Sequence, residues 1–149
     1  MQDVIINAVV TALRKGQTIL YPTDTIWGIG CDAGNAEAVE RIYAIKERDR
    51  SKSMLVLVSE SMLSADLPEA ARELLLRSVR PTTVVLPAEL VAAPLAGNLP
   101  AADGTVGVRV PRFGFCQRML CGLGRPVVST SANLSGRPSP ARYEDIEKE

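Results

Sequence analysis

Residues 126–140 read PVVSTSANLSGRPSP, and this stretch decides how the rest of the chain is read. It begins as an apolar strand, PVVST, and breaks into a loop of small polar residues. Ser129, Thr130, Ser131, Asn133 and Ser135 present hydroxyls and an amide within seven positions. Gly136, Pro138 and Pro140 restrict the loop's shape. A polar loop at the C-terminal end of a buried strand is where open α/β sheets bind ligands. An earlier stretch answers it: YPTDTIWGIG at 21–30, then KERDRSK at 46–52. The two read as walls of one nucleotide site.

Outward from that strand, the chain alternates strands with helices. DVIINAVVTALRK at 3–15 has the spacing of an amphipathic helix, started by Asp3 and closed by Gly16. TILYP reads as a short apolar strand ending at Pro22. PTDTIWGIGCDAGN reads as a polar, glycine-containing loop with β-prone residues inside it. Ala36, Val39, Ile42, Tyr43 and Ile45 place a helix over 36–47, with Asn35 as N-cap. MLVLV is a continuous apolar run, as expected of a strand covered on both faces. Pro68 reads as the first position of a helix through EAARELLLRS. TTVVLP and TVGVRVP read as strands. Residues 87–104 between them read as a long loop with one helical turn, which predicts antiparallel pairing of the two. FCQRMLCGL reads as a short helix closed by Gly122 or Gly124, and ARYEDIEKE as the start of a polar helix. The alternation predicts an α/β layered fold in a single domain.

Composition removes several kinds of chemistry. The chain has 149 residues, 46% of them hydrophobic and only 4% aromatic, so Val, Ile, Leu and Ala fill the core. Its 17 basic and 17 acidic residues balance, which argues against a generally basic nucleic-acid binder but leaves room for a local basic cleft. No apolar run approaches the roughly 20 residues of a membrane span. The N-terminus lacks the basic region and cleavage site of a signal peptide, so a soluble cytoplasmic protein is expected. Cys31, Cys116 and Cys121 form no C-x-x-C and read as free thiols. There is no histidine, which excludes Ser-His-Asp and Cys-His catalysis and His-based metal sites.

What remains are cations, carboxylates, hydroxyls and backbone dipoles. Lys46, Arg48, Arg50 and Lys52 fall within seven positions at a helix end. They read as a phosphate grip, or more plainly as a solvated helix terminus balanced by Glu47 and Asp49. Gly28-Ile-Gly30 lacks the third glycine of a dinucleotide fingerprint, and no Walker motif is present. These glycines permit a turn or a close backbone approach. Thr23, Asp24 and Thr25 suit a small polar ligand or an ordinary turn. Arg109 lies within the apolar V-G-V-R-V and must face solvent, a partner or an anionic ligand. Thr105 shares its face by the two-residue period.

Taken together and in order, YPTDTIWGIGCDA, IKERDRSKSMLVLV, TVGVRVP and STSANLSGRPSP resemble the Sua5/YrdC/YciO family over most of residues 17–140. The resemblance implies a three-layer YrdC/RibB-like fold, α/β, with a twisted, mixed sheet around a concave basic cavity. It implies threonylcarbamoyl-AMP synthesis from L-threonine, bicarbonate and ATP, with Mg²⁺ arriving on ATP rather than in a dedicated protein site. The product of such enzymes passes to a t⁶A transferase complex that modifies adenosine 37 of tRNA.

By the same resemblance, Thr25 matches the threonine-binding position of P-T-x-T. Lys46 and Arg48 match K-x-R as the catalytic pair, and Arg48 with Lys52 would bind ATP. Thr105 matches an ATP contact and Arg109 a holder of the threonine carboxylate. Ser131 and Asn133 form S-x-N, near threonine and ATP respectively. The W-P-G-P-x-T segment of many members is replaced here by Val79-Arg-Pro81-Thr-Thr83. The chain ends at Glu149, so the expectation is a single YrdC-like domain over 1–149 without the family's usual C-terminal segment. A non-catalytic binder of double-stranded RNA or tRNA is the alternative within the family. A sugar-phosphate enzyme rests on fold analogy alone.

Overall fold

The computed structural model describes residues 2–22, 27–46, 54–78, 82–101, 103–112 and 114–131. Four helices are α1 (Gln2–Arg14), α2 (Ala36–Lys46), α3 (Glu69–Arg77) and α4 (Gly114–Leu123). Six strands are β1 (Ile19–Pro22), β2 (Trp27–Asp32), β3 (Leu55–Leu57), β4 (Val84–Pro87), β5 (Thr105–Arg109) and β6 (Val127–Ser131). They form one sheet in the order β1-β2-β6-β3-β5-β4. β3 and β5 run parallel and the other neighbours antiparallel, including the expected β4–β5 pair. The expected α/β fold with a mixed sheet is therefore present.

Each helix follows from its apolar spacing. In α1, Ile6, Val10 and Leu13 are buried at intervals of four and three. In α4, Cys116, Met119, Leu120 and Leu123 repeat that pattern. The two helices approach closely at Gly122, where a Cβ would sit 2.9 Å from Val10 Cγ2. Arg14 reinforces the contact by donating to the Gly122 carbonyl at 2.9 Å. Gly16 and Gly124 follow α1 and α4 with φ of +79° and +72°, the left-handed conformation that ends a helix without steric cost. Asn35 caps α2 as expected, its Oδ1 accepting from the Ala38 N–H at 3.1 Å. Fully burying each such Leu, Ile or Val contributes about 1.5–3 kcal/mol.

Three expectations change. Residues 27–32, expected inside a loop, form β2, paired on both sides. Their two glycines suggested a turn, but both are buried in an extended strand. At Gly30 an added Cβ would meet the Val128 carbonyl oxygen at 2.5 Å and Tyr21 Cε1 at 2.7 Å. The glycine thus serves the close approach that its sequence context also allowed. Pro68 is the N-cap of α3, extended at ψ 142°, one position before the expected site. Its fixed φ suits either place. The strand expected over MLVLV is paired only at Leu55–Leu57. The helix expected over 141–149 lies outside the described residues.

Asp32 ends β2 almost completely buried. It accepts from the Gly34 N–H at 2.8 Å and from Arg125 Nη1 at 3.1 Å. Burying a carboxylate without such partners is costly. The pair ties the end of β2 to Arg125, two residues before β6.

The cysteines are free, with Cys31 and Cys116 buried and Cys121 exposed. Burial, with the Asp32 carboxylate beside it, pushes the Cys31 thiol up to about 12. Only about 10⁻⁴ of it is then thiolate at pH 8, and the thiolate is the nucleophile. Iodoacetamide at pH 8 is expected to label Cys121 in the native protein, and Cys31 and Cys116 only after unfolding. Peptide mass spectrometry reads the sites, and rapid native labelling of Cys31 would contradict this packing.

Candidate active site

The strand registers bring the motif-bearing segments to one rim of the sheet. Pro22 pairs with Trp27, and Gly28 with Ser131. Leu55 pairs with both Ser129 and Gly107, and Pro87 with Thr105. The ends of β1, β4 and β6 and the starts of β2, β3 and β5 therefore share that rim. The 23–26 segment, carrying Thr25, joins β1 to β2 there. The 47–53 segment, carrying Arg48 and Lys52, enters β3 there. Asn133 follows the end of β6 by two residues in the sequence. Thr25, Arg48, Lys52 and Asn133 themselves lie outside the described residues. Lys46 is the last residue of α2 and Ser131 the last of β6.

Thr105 opens β5 at this rim. Its backbone N–H and hydroxyl donate to Asp103 Oδ1 at 3.0 and 2.6 Å. These bonds hold the Asp103 carboxyl below its ordinary value. Arg109 is on the same face of β5, four residues or about 13 Å further along the strand. The structure thus brings Thr105, Ser131 and the roots of the three segments together, and sets Arg109 deeper on the sheet.

This face is covered at one half and open at the other. Over β1, β2 and β6 it carries Tyr21, Gly30 and Ser129, all buried. Burial pushes the Tyr21 phenol well above its ordinary value. Ser129 lies near enough to soften that shift, yet the Tyr21 hydroxyl makes no well-formed hydrogen bond among the described residues. Over β4 and β5 the face carries exposed Val85 and Pro87 and half-buried Thr105 and Arg109, with Gly107 leaving the strand bare between them. An open sheet face that ends in a polar rim suits a ligand with a charged and an uncharged end. A shallow depression of about 370 Å³ lined by Asn7, Thr11, Lys15 and Gln17 lies instead on α1 and includes none of these groups.

Sequence reading missed Thr83. Its Oγ1 accepts from Arg109 Nε at 3.1 Å and Nη2 at 2.8 Å. The antiparallel pairing of TTVVLP with TVGVRVP, once put in register, would have placed Thr83 opposite Arg109. Arg109 thus has a partner within the sheet.

Among the described residues no group of three or more His, Cys, Asp and Glu is placed to hold a metal ion. No helix among them is long and apolar enough to cross a membrane.

Comparison with known proteins identifies the family. The Sua5/YciO/YrdC family model, described as telomere recombination, matches residues 11–149. Threonylcarbamoyl-AMP synthase of Vibrio vulnificus is 34% identical over 149 residues, covering 95% of this chain and 78% of that enzyme. The Bacillus subtilis enzyme of the same name is 32% identical over 139 residues, and this chain spans only 40% of it. The structure of P. abyssi Sua5 complexed with L-threonine superposes with a TM-score of 0.74 at 30% identity, over 95% of this chain and 45% of that one. E. coli YciO superposes with a TM-score of 0.78 at 29% identity, over 98% and 72%. The chain belongs to the Sua5/YciO/YrdC family.

Proposed function

We propose that this chain is a threonylcarbamoyl-AMP synthase, a nucleotidyl-transferring enzyme that joins L-threonine, bicarbonate and ATP and releases pyrophosphate. The observation that carries the reading is the convergence on one rim of Thr105, Ser131 and the roots of the segments bearing Thr25, Arg48, Lys52 and Asn133. The identity to enzymes of that name supports it.

The chemistry suits a protein without histidine. The amine of threonine adds to bicarbonate, and water leaves to give a carbamate. A carbamate oxygen attacks the α-phosphorus of ATP. The bond from that phosphorus to the bridging oxygen breaks, and pyrophosphate departs with the electron pair. No protein nucleophile takes part, so the work is positioning and charge neutralisation.

Arg48 and Lys52 offset the triphosphate charge, with Lys46 supporting the phosphates. Thr105 and Asn133 hold ATP. Thr25 and Ser131 hold threonine, whose carboxylate faces Arg109. Mg²⁺ comes as part of the ATP substrate and supplies further charge on the departing pyrophosphate. The product is a mixed acyl-phosphate anhydride, which a transferase complex passes to adenosine 37 of tRNA. ATP and tRNA place this work in the cytoplasm.

The test is pyrophosphate release from Mg-ATP, with and without L-threonine and bicarbonate. Release that requires both is expected. A folded protein that binds neither ATP nor threonine would end the reading. Salt-dependent binding of double-stranded RNA stronger than its binding of ATP would then put the RNA-binding alternative in its place.

A further inference from the structure

We infer that Thr83 is a positioning residue for the carboxylate-bearing substrate, holding the Arg109 guanidinium so that its outer Nη edge faces the ligand. The inference rests on the function proposed above.

The Arg109 guanidinium donates to Thr83, and among the described residues it pairs with no carboxylate. A guanidinium offers carboxylates a side edge, made of Nε and one Nη, and an end edge made of both Nη groups. Thr83 Oγ1 receives Nε and Nη2 together, so a hydroxyl occupies the side edge. That leaves Nη1 and the second proton of Nη2 for an anion. With both lone pairs of Oγ1 engaged, the hydroxyl proton must point away from Arg109 as a donor. The pair therefore leaves the end edge of the guanidinium as the donor edge open to an anion.

The orientation of Thr83 is fixed from its other side. The two residues face each other across the β4–β5 pair, one position before the Val84–Val108 partners. A Cβ added at Gly107 would sit 3.3 Å from Thr83 Cγ2, so the methyl rests over the bare backbone of that glycine. A methyl seated over Gly107 and a hydroxyl on Arg109 set a single χ1 for a β-branched residue. Thr83 is itself exposed. An exposed residue just before β4 with a defined rotamer, tied to the one cation of β5, is built to aim that cation. Free in solvent, an arginine loses rotamer entropy when it binds; here that loss is met on folding.

The experiment is calorimetric titration of the full chain with L-threonine and with L-threonine amide, which lacks the carboxylate, in the presence of Mg-ATP. Thr83→Val keeps the shape and the strand preference but removes both the acceptor and the donor. It is expected to weaken L-threonine binding about tenfold while leaving the amide within about twofold. Thr83→Ser restores the hydroxyl and is expected to recover most of the preference for the acid. Gly107→Ala crowds the Thr83 methyl and is expected to behave like Thr83→Val. Equal weakening of acid and amide, or Thr83→Val binding L-threonine as wild type does, would overturn the inference. Wild-type protein that is folded yet binds neither compound would overturn the functional reading, and this inference with it.

Discussion

Arg48→Ala is expected to lower kcat/KM for threonine-dependent pyrophosphate release by about 30- to 1,000-fold, a loss of about 2–4 kcal/mol of transition-state stabilisation. Charge shifts onto the departing pyrophosphate as the α-phosphorus is attacked, and a guanidinium meets two phosphate oxygens at once. Lysine keeps the charge without the planar fork. Arg48→Lys is therefore expected to fall between wild type and Arg48→Ala, and Lys52→Ala to cost less. Arg48 lies on the segment that enters β3 at the rim, one of three that converge there. Steady-state assays at saturating L-threonine and bicarbonate check the value, with circular dichroism confirming the fold. A change below threefold would remove Arg48 from the reacting end of the site.

Gly30→Ala is expected to destabilise the protein by about 2–4 kcal/mol, a penalty typical of overpacking against atoms that cannot yield. The new Cβ would meet the Val128 carbonyl oxygen at 2.5 Å. That oxygen belongs to β6, which is held between β2 and β3. The second clash, at 2.7 Å, is with the ring of Tyr21. That ring is fully buried and cannot swing out without opening the core. Gly97→Ala, where no atom lies within 4 Å, is the control and is expected to stay within about 0.5 kcal/mol of wild type. Urea unfolding of the three proteins makes the comparison. Matching midpoints for Gly30→Ala and wild type would mean that β2 does not lie this close to its neighbours.

The contrast between these positions shows what sequence conveys. Periodicity located α1, α2 and α4, because Ile6–Val10–Leu13 and Cys116–Leu120–Leu123 face the core at helical spacing. It also located β4, β5 and β6 and the antiparallel β4–β5 pair. It failed at β2, because glycine weakens a strand pattern and marks a turn far more often than a bare strip under a buried tyrosine. That Gly30 makes room for Tyr21 is a fact about two strands in register, and no single window contains it.

The candidate site divides in the same way. Thr105 and Arg109 were legible as hydroxyl and cation on one face of one strand. Thr83 was not, because its importance depends on a partner twenty-six residues away. The roles of Thr25, Lys46, Arg48, Lys52, Ser131 and Asn133 came from ordered resemblance rather than from residue chemistry. What the fold adds is a physical reason for that order to matter, since segments far apart in sequence leave the sheet at one end.

The position of β6 has a consequence for how this protein comes to exist. β1 and β2 form one half-sheet, and β3, β5 and β4 the other; among the described residues no ladder joins them except through β6. Yet β6 is the last of the six to be made, about 100 residues after the strand it meets at Gly28. Until β6 is in place, neither β2 nor β3 can be covered along the edge it offers to β6, and uncovered edges invite wrong pairing. Among the described residues it is the pairing of residues 127–131 that covers both edges, and the same pairing sets Ser131 at the rim. Joining the two halves of this sheet and placing Ser131 at its rim are therefore one and the same pairing event.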